Sequence, residues 1–205
     1  MDVLEICIMK FFLLFLMIIS GIYGAELFFP GLKTESLRKK TEDCEKNRQS
    51  TEVPKDLYLK ADKALLERLT VKSRKDADAR LGFVSCVMKN SFSTEEKDEL
   101  LSSLEFYAVR QKQYLEYNSR FLYSMEKENI LKFGELKIMQ EYIRSKNDLY
   151  VLLLKADREL IQDKMEDKDY ENEIRNIHYS LAYLNYEFFL SLHPKTRKTI
   201  VERLY

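Results

Sequence analysis

The fold is decided by the stretch STEEKDELLSSLEFYAVRQKQYLEYNSRFLYSM, residues 93–125. It opens with a capping-box pattern, in which the Ser93 hydroxyl accepts a hydrogen bond from the Glu96 amide and the Glu96 carboxylate accepts one from the Ser93 amide. Behind this cap, residues suited to a helix–helix interface recur at alternating spacings of three and four, which is a heptad seam: Leu101, Leu104, Ala108, Gln111, Leu115, Asn118, Leu122 and Met125. The stretch predicts one long helix, either a coiled-coil strand or an amphipathic helix packed on its neighbours.

Two polar members of this seam, Gln111 and Asn118, predict a partner helix, because a polar group at a buried seam position needs a hydrogen-bond partner. A second copy of the chain would supply that partner in a homodimer. The alternative is closure within one chain by the segment Ile174–Phe188, which has matching heptad spacing.

Hydrophobic periodicity predicts helices on both sides of the seam. One apolar stripe starts at Leu57, breaks near Ser73 and resumes up to Met88, whereas Gly134 weakens the later pattern without a proline to end the helix. Pro194 suits the first turn of a final short helix. The remaining stripes are Leu136, Met139, Ile143, Leu152, Leu153, Ala156 and Leu160, and then Ile174, Ile177, Leu181, Leu184 and Phe188.

The composition argues against a β architecture. The chain of 205 residues has only 5 Gly and 3 Pro, and sandwiches and barrels use both residues in their many turns. Val, Ile and Thr do not alternate with polar residues as they do in strands. We therefore predict an all-α fold of five or six helices, arranged as a long antiparallel bundle or hairpin.

The N-terminus has the pattern of a secretory signal peptide. Lys10 precedes an apolar run from Phe11 to Ile19, and small residues at Gly24 and Ala25 suit a cleavage site. The run is shorter than the roughly 20 apolar residues of a membrane-spanning helix. An uncleaved anchor is the alternative.

The chain accordingly divides into a signal peptide over 1–24, a mobile or partly ordered arm over 25–56 and a helical domain over 57–205. Within the arm we expect one short helix around Glu35 to Lys46. The initiator is Met1 or Met9, and Met9 directly precedes the basic residue of the signal. We expect an exported protein, either periplasmic or secreted, with no stable membrane span after signal cleavage.

No pattern for catalysis, nucleotide binding or metal binding stands out. The 34 basic and 34 acidic residues cancel, so the chain has no global attraction for nucleic acid or an anionic membrane. Its two histidines, His178 and His193, lack Cys or carboxylate neighbours at ligand spacing, and no Gly-rich phosphate loop or zinc-protease motif is present. We expect a protein that is not an enzyme and has no cofactor and no metal.

Two cysteines remain once the signal peptide is removed, Cys44 and Cys86. In an oxidising compartment they permit one disulfide, which would close a loop of about 40 residues and stabilise the fold by a few kcal/mol. The alternative is a pair of unrelated free thiols.

Aromatic and basic side chains cluster on the helix that begins at Ser93. Tyr and Arg are enriched at protein interfaces, so this surface suits a partner protein. Alternatively, the tyrosines cover the edges of the core with their hydroxyls in water. The candidate protein-binding residues are Tyr107, Arg110, Tyr114, Tyr117, Arg120 and Tyr123, and a second aromatic stripe, Tyr179, Tyr183 and Tyr186, follows on the last long helix.

Two short segments carry a resemblance to a known family. Ser93-Thr94-Glu95-Glu96-Lys97 keeps the Thr of a Leu-Thr-x-x-Gln signature, and Leu192-His193-Pro194-Lys195-Thr196-Arg197 is similar to the Leu-Thr-Pro-x-Gln-Arg form. From Ser93 to Leu204 the chain thus resembles the periplasmic stress-chaperone and heavy-metal-resistance superfamily typified by the Spy and CpxP proteins. The resemblance implies an exported, helical, chaperone-like protein. Both segments lack the Gln, and the chain lacks the His ligands of the family's metal-binding members, so no metal site is implied.

Two functions fit these patterns. The first is an exported helical protein that binds other proteins, as a chaperone-like or structural component of the cell envelope. The alternative is a secreted effector or surface protein that binds a host or partner protein through its tyrosine-rich helices.

Overall fold

A computed structural model describes residues 32–45, 52–89, 92–128, 130–132 and 134–204. The side chains of residues 45, 106–112, 114, 115, 117, 118, 121, 122 and 204 lie outside this description. The predicted signal peptide, 1–24, also lies outside it.

The predicted all-α class is confirmed, since every described element is a helix. The described residues form seven helices rather than the predicted five or six: α1 Glu35–Glu45, α2 Lys55–Lys60, α3 Lys63–Met88, α4 Thr94–Lys127, α5 Glu135–Ile161, α6 Asp167–Ser191 and α7 Pro194–Leu204.

The first long helix breaks at a different place from the one predicted. The sequence pattern predicts a break near Ser73, but α3 continues through this residue. The small side chain of Ser73 is buried on the inner face of α3. The break lies instead at Ala61, which has a left-handed backbone with φ of 47° and ends α2. Asp62 then starts α3, because its carboxylate accepts a hydrogen bond from the Ala64 amide at 3.0 Å.

The helix starts at Ser93 and Pro194 are confirmed. Both hydrogen bonds of the capping box are present, with the Glu96 amide donating to the Ser93 hydroxyl and the Ser93 amide donating to the Glu96 carboxylate. Pro194 is the first residue of α7. A second difference is the break between α4 and α5, which the sequence pattern left unmarked because no proline is present. Gly134, with a left-handed φ of 85°, precedes the new helix.

The four long helices pack as antiparallel neighbours. Helix α6 lies against both α3 and α5, and α4 lies against α5. Two core clusters form along them, one with Phe83, Leu104, Leu160 and Ile174 and the other with Leu65, Met125, Met139 and Phe189. Leu152 of the predicted α5 stripe does not join either cluster, because it is 41% exposed on the outer face.

The short helices close the two ends of the bundle. At one end α2 packs on α7, and Tyr58 contacts Phe189 with ring centroids 4.8 Å apart. At the other end α1, the helix expected within the predicted arm 25–56, packs on α3 and buries Leu37 completely. Cys44 and Cys86 are joined in a disulfide that ties α1 to α3.

Candidate functional site

A cleft of about 370 Å³ lies between the C-terminal half of α4 and the N-terminal half of α5. Its volume lies near the lower end of the range for pockets that bind small molecules. The lining residues are Ser119, Tyr123 and Glu126 from α4 and Leu136, Gln140, Ile143, Arg144 and Asn147 from α5. Within each helix they repeat at spacings of three and four, so each set lies on one helical face.

Core packing beside the cleft holds the two helices that form it. Met125 and Met139 are fully buried in the same core cluster, which holds α4 and α5 against each other next to the cleft. The connection between α4 and α5 is anchored by Glu135, whose carboxylate accepts hydrogen bonds from the Lys132 amide at 2.5 Å and the His193 amide at 2.7 Å. Because these contacts tie the helix connection to α7, the residues that follow Glu135 hold a defined position.

The cleft combines an apolar floor with polar edges. Leu136 and Ile143 are half-buried, whereas Tyr123 is 68% exposed and stands at the rim. Glu126 and Arg144 are both exposed. Exposed aromatic rings beside a small apolar recess are typical of residues that dominate protein interfaces.

The sequence-predicted binding residues are placed only in part. Tyr107, Arg110, Tyr114 and Tyr117 belong to α4, but their side chains lie outside the described set. Tyr123 lines the cleft, while Arg120 is exposed on α4 and does not line it.

Sequence reasoning missed the contribution of α5. Gln140, Arg144 and Asn147 come to face Tyr123 only because α5 packs antiparallel on α4. A signal for them was present in the spacing of Leu136, Gln140, Ile143 and Asn147, which places two amides on the edge of an apolar stripe.

A buried polar cluster elsewhere in the bundle is structural. Arg80 of α3 forms an ion pair with Asp157 of α5, and the Tyr170 hydroxyl of α6 donates to the same carboxylate at 2.8 Å. Burial, and secondarily the negative charge of Asp157, raises the pKa of Tyr170, so this phenol stays protonated. The cluster links three helices and satisfies the carboxylate on both oxygens.

Neither histidine has a catalytic arrangement in the described structure. Burial, with the positive charge of Arg80, lowers the pKa of His178 to about 4, so the imidazole is neutral at pH 7. Its Nε2 atom is buried without a hydrogen-bond partner among the described residues. His193 is exposed, and its Nδ1 accepts a hydrogen bond from the Lys195 amide at 3.3 Å at the start of α7.

The described residues lack two kinds of feature. They contain no group of three or more His, Cys, Asp or Glu side chains placed to hold a metal ion. None of the helices that they form combines the length and the apolar character needed to cross a bilayer.

The chain matches no protein-family model, no curated protein and no solved structure. The resemblance to the Spy and CpxP superfamily is thus untested by these comparisons and stays a prediction.

Proposed function

We propose that this is an exported protein that is not an enzyme and that binds a partner protein through α4 and the α4–α5 cleft. The observation that carries the proposal is the position of Tyr123, an exposed aromatic side chain at the rim of an apolar recess. Tyrosine offers a large contact area and a hydroxyl with little loss of conformational freedom, which is why it is common in binding surfaces.

The pairing of charges elsewhere supports a binding role for this region. Many exposed charges on the long helices form ion pairs with neighbours, such as Lys137 with Glu141 and Arg158 with Glu105. Glu126 and Arg144 line the cleft, and neither forms an ion pair with another described residue. Such charges remain available to a partner.

Site-specific crosslinking in the native host tests the proposal. A benzoylphenylalanine photo-crosslinker in place of Tyr123 should capture one partner protein, and the same crosslinker in place of Lys168, exposed at the start of α6, should not. Purified partner should then bind the Tyr123→Ala variant at least about fivefold more weakly than wild type, as expected for an interface residue worth more than about 1 kcal/mol. Equal capture at both positions, or no capture at position 123, would contradict the proposal.

A second candidate function is favoured by a different surface. Tyr179, Tyr183 and Leu190 are exposed along the outer face of α6, and an exposed apolar stripe of this kind suits unselective binding of unfolded chains, as in a chaperone. Suppression of the aggregation of a chemically denatured test protein would favour this function. Replacing Tyr179 and Tyr183 by Ser should then abolish the suppression, while Tyr123→Ala should leave it intact.

Export is tested separately. The signal-like segment predicts that the mature protein from the native host begins near Ala25. N-terminal sequencing that finds Met1 or Met9 would refute cleavage.

A further inference from the structure

We infer that the α4–α5 cleft holds an extended segment of the partner polypeptide that carries an acidic and a basic side chain on either side of apolar residues. The acidic side chain of this segment pairs with Arg144, and its basic side chain pairs with Glu126. Its apolar side chains pack on Leu136 and Ile143. This inference rests on the proposed function and adds the chemistry of the segment that the partner supplies.

The two charged side chains of the cleft indicate which charges the ligand carries. Glu126 and Arg144 have opposite signs and line the same cleft, yet they do not form an ion pair with each other. A segment with a single sign of charge would attract one of them and repel the other. A segment with one charge of each sign satisfies both, and electrostatic complementarity of this kind fixes the register of a complex.

The separation of these charges sets the spacing in the ligand. Because α4 and α5 run antiparallel from their connection, Glu126 lies across from the start of α5, where Leu136 also lines the cleft. Arg144 lies a little over two turns beyond Leu136, which is about 12 Å at the helical rise of 1.5 Å per residue. An extended chain advances about 3.3 Å per residue, so its acidic and basic residues should be three or four positions apart.

The amides of the cleft favour an extended segment over a helical one. Gln140 and Asn147 each offer both donors and acceptors, and both line the cleft on α5. The backbone of an extended segment has N–H and C=O groups that need such partners, whereas a helix satisfies its own. The recess of about 370 Å³ also accommodates a few side chains rather than a whole helix of about 10 Å diameter.

Charge-reversal variants of the cleft test the inference. Their binding to a set of capped, fluorescein-labelled nonapeptides is measured by fluorescence anisotropy. The middle five residues of each peptide begin and end with a charged residue and have Leu and Ala between them. The four peptides have the end pairs Glu/Lys, Lys/Glu, Glu/Glu and Lys/Lys. Wild type should bind one of the two Glu/Lys orders at least about fivefold more tightly than either like-charged peptide, the effect expected of two partly exposed ion pairs. The Arg144→Glu variant should prefer the Lys/Lys peptide, and the Glu126→Lys variant should prefer the Glu/Glu peptide.

A reversal of preference cannot arise from misfolding, which would only weaken all peptides together. Two control variants on α3, Arg74→Glu and Glu67→Lys, change the same charges on an exposed surface away from the cleft and should keep the wild-type preference. Identical preferences in wild type and both cleft variants, or equal binding of all peptides by wild type, would overturn the inference. The partner segment crosslinked at position 123 can also be tested for binding. If it binds the Arg144→Glu variant as tightly as wild type, the inference is overturned and the proposed function still stands. Absence of any crosslink at position 123 would defeat the proposed function itself.

Discussion

At the scale of single residues, the buried carboxylate of Asp157 is held from two sides by side chains of other helices. It is only 2% exposed and accepts from Arg80 on one side and from Tyr170 on the other. A buried pair of this kind adds little net stability compared with an apolar pair, but removing one partner leaves the other charge buried and uncompensated. The cluster thus fixes how α3, α5 and α6 sit against one another.

The Asp157→Ala variant should therefore lose about 3–5 kcal/mol of unfolding free energy, because Arg80 would be left buried without its counter-ion. Urea unfolding followed by circular dichroism measures this loss. The matched control is Glu105→Ala, which removes an exposed ion pair to Arg158 and should cost less than about 1 kcal/mol. Equal losses in the two variants would mean that Asp157 is not held as described.

His178 predicts a specific pH dependence of stability. Its pKa is lowered to about 4 in the folded state and is about 6.5 in the unfolded state, so the unfolded chain binds a proton more readily between these values. The unfolding free energy should fall by up to about 3 kcal/mol as the pH drops from 6.5 to 4. The His178→Gln variant should lack this part of the fall, and parallel curves for the two proteins in urea titrations at several pH values would contradict the assignment.

At the scale of the helix, the sequence predicted long amphipathic elements well and their breaks poorly. The capping box at Ser93 is a local pattern, and it is present as expected. Ala61 itself gives no signal for the break, since Ala is the best helix former, and the N-cap Asp62 that follows it is only a weak local signal. The break is stabilised from far away in the chain, where the Arg197 guanidinium donates to the carbonyl oxygens of Leu59 at 3.0 Å and Lys60 at 3.1 Å.

The Arg197→Met variant should consequently lose about 2–3 kcal/mol of unfolding free energy, because the part-buried hydrogen bonds from its guanidinium to the end carbonyls of α2 would be removed. The loss should appear as faster amide hydrogen exchange in α2 and α7. Lys198→Ala removes an exposed neighbour that, among the described residues, pairs only with Glu202 within α7, and it should stay within about 0.5 kcal/mol of wild type. Unchanged exchange in α2 would show that Arg197 does not hold this helix end.

The candidate site shows the same limit of sequence reasoning. Tyr123 was predicted because it belongs to a tyrosine-rich helix, and it lines the cleft. Arg144 and Asn147 were not predicted, because along α5 they resemble any polar residues beside an apolar stripe. Their relevance arises from the antiparallel packing of α5 on α4, which is a property of the tertiary structure.

At the scale of the whole molecule, α1 is attached to the bundle by covalent, apolar and ionic contacts. The disulfide joins Cys44 and Cys86 with Cα atoms 5.7 Å apart, and Leu37 is fully buried in the core. Lys40 forms an ion pair with Glu96 at 2.9 Å. Helix α1 thus covers the end of the bundle where α3 and α4 are connected.

Replacing both cysteines by Ser should lower the unfolding free energy by up to about 4 kcal/mol, because the bridge closes a separation of 42 residues in the unfolded chain. Thermal unfolding with and without reductant measures the effect. Reductant should destabilise wild type to the level of the double variant and leave that variant unchanged. A reductant effect on the double variant would point to a cause other than this bond.

The heptad seam of α4 predicts oligomeric state. Its central residues, including Gln111 and Asn118, have side chains outside the described set, but Leu104 and Met125 near its ends are buried in the same clusters as Leu160 and Met139 of α5, the helix on which α4 packs. The segment Ile174–Phe188, which the sequence predicted would close the seam, packs on α3 and α5 instead. Burial of both ends of the seam beside α5 favours closure within one chain, and we expect a monomer at tens of micromolar by light scattering. A dimer would restore the alternative, and Asn118→Leu should then change its stability or stoichiometry.

The bond between Cys44 and Cys86 also makes the chain between them a covalent ring. One cut by a protease anywhere inside this ring would open it without separating the two pieces, and the product would migrate as a single band until a reductant is added. A cut on the N-terminal side of Cys44 would instead leave a fragment with no covalent bond to the rest, which would separate on a denaturing gel without any reductant. In a compartment rich in proteases, the protein could be nicked inside the ring and still keep α1 in place over the core.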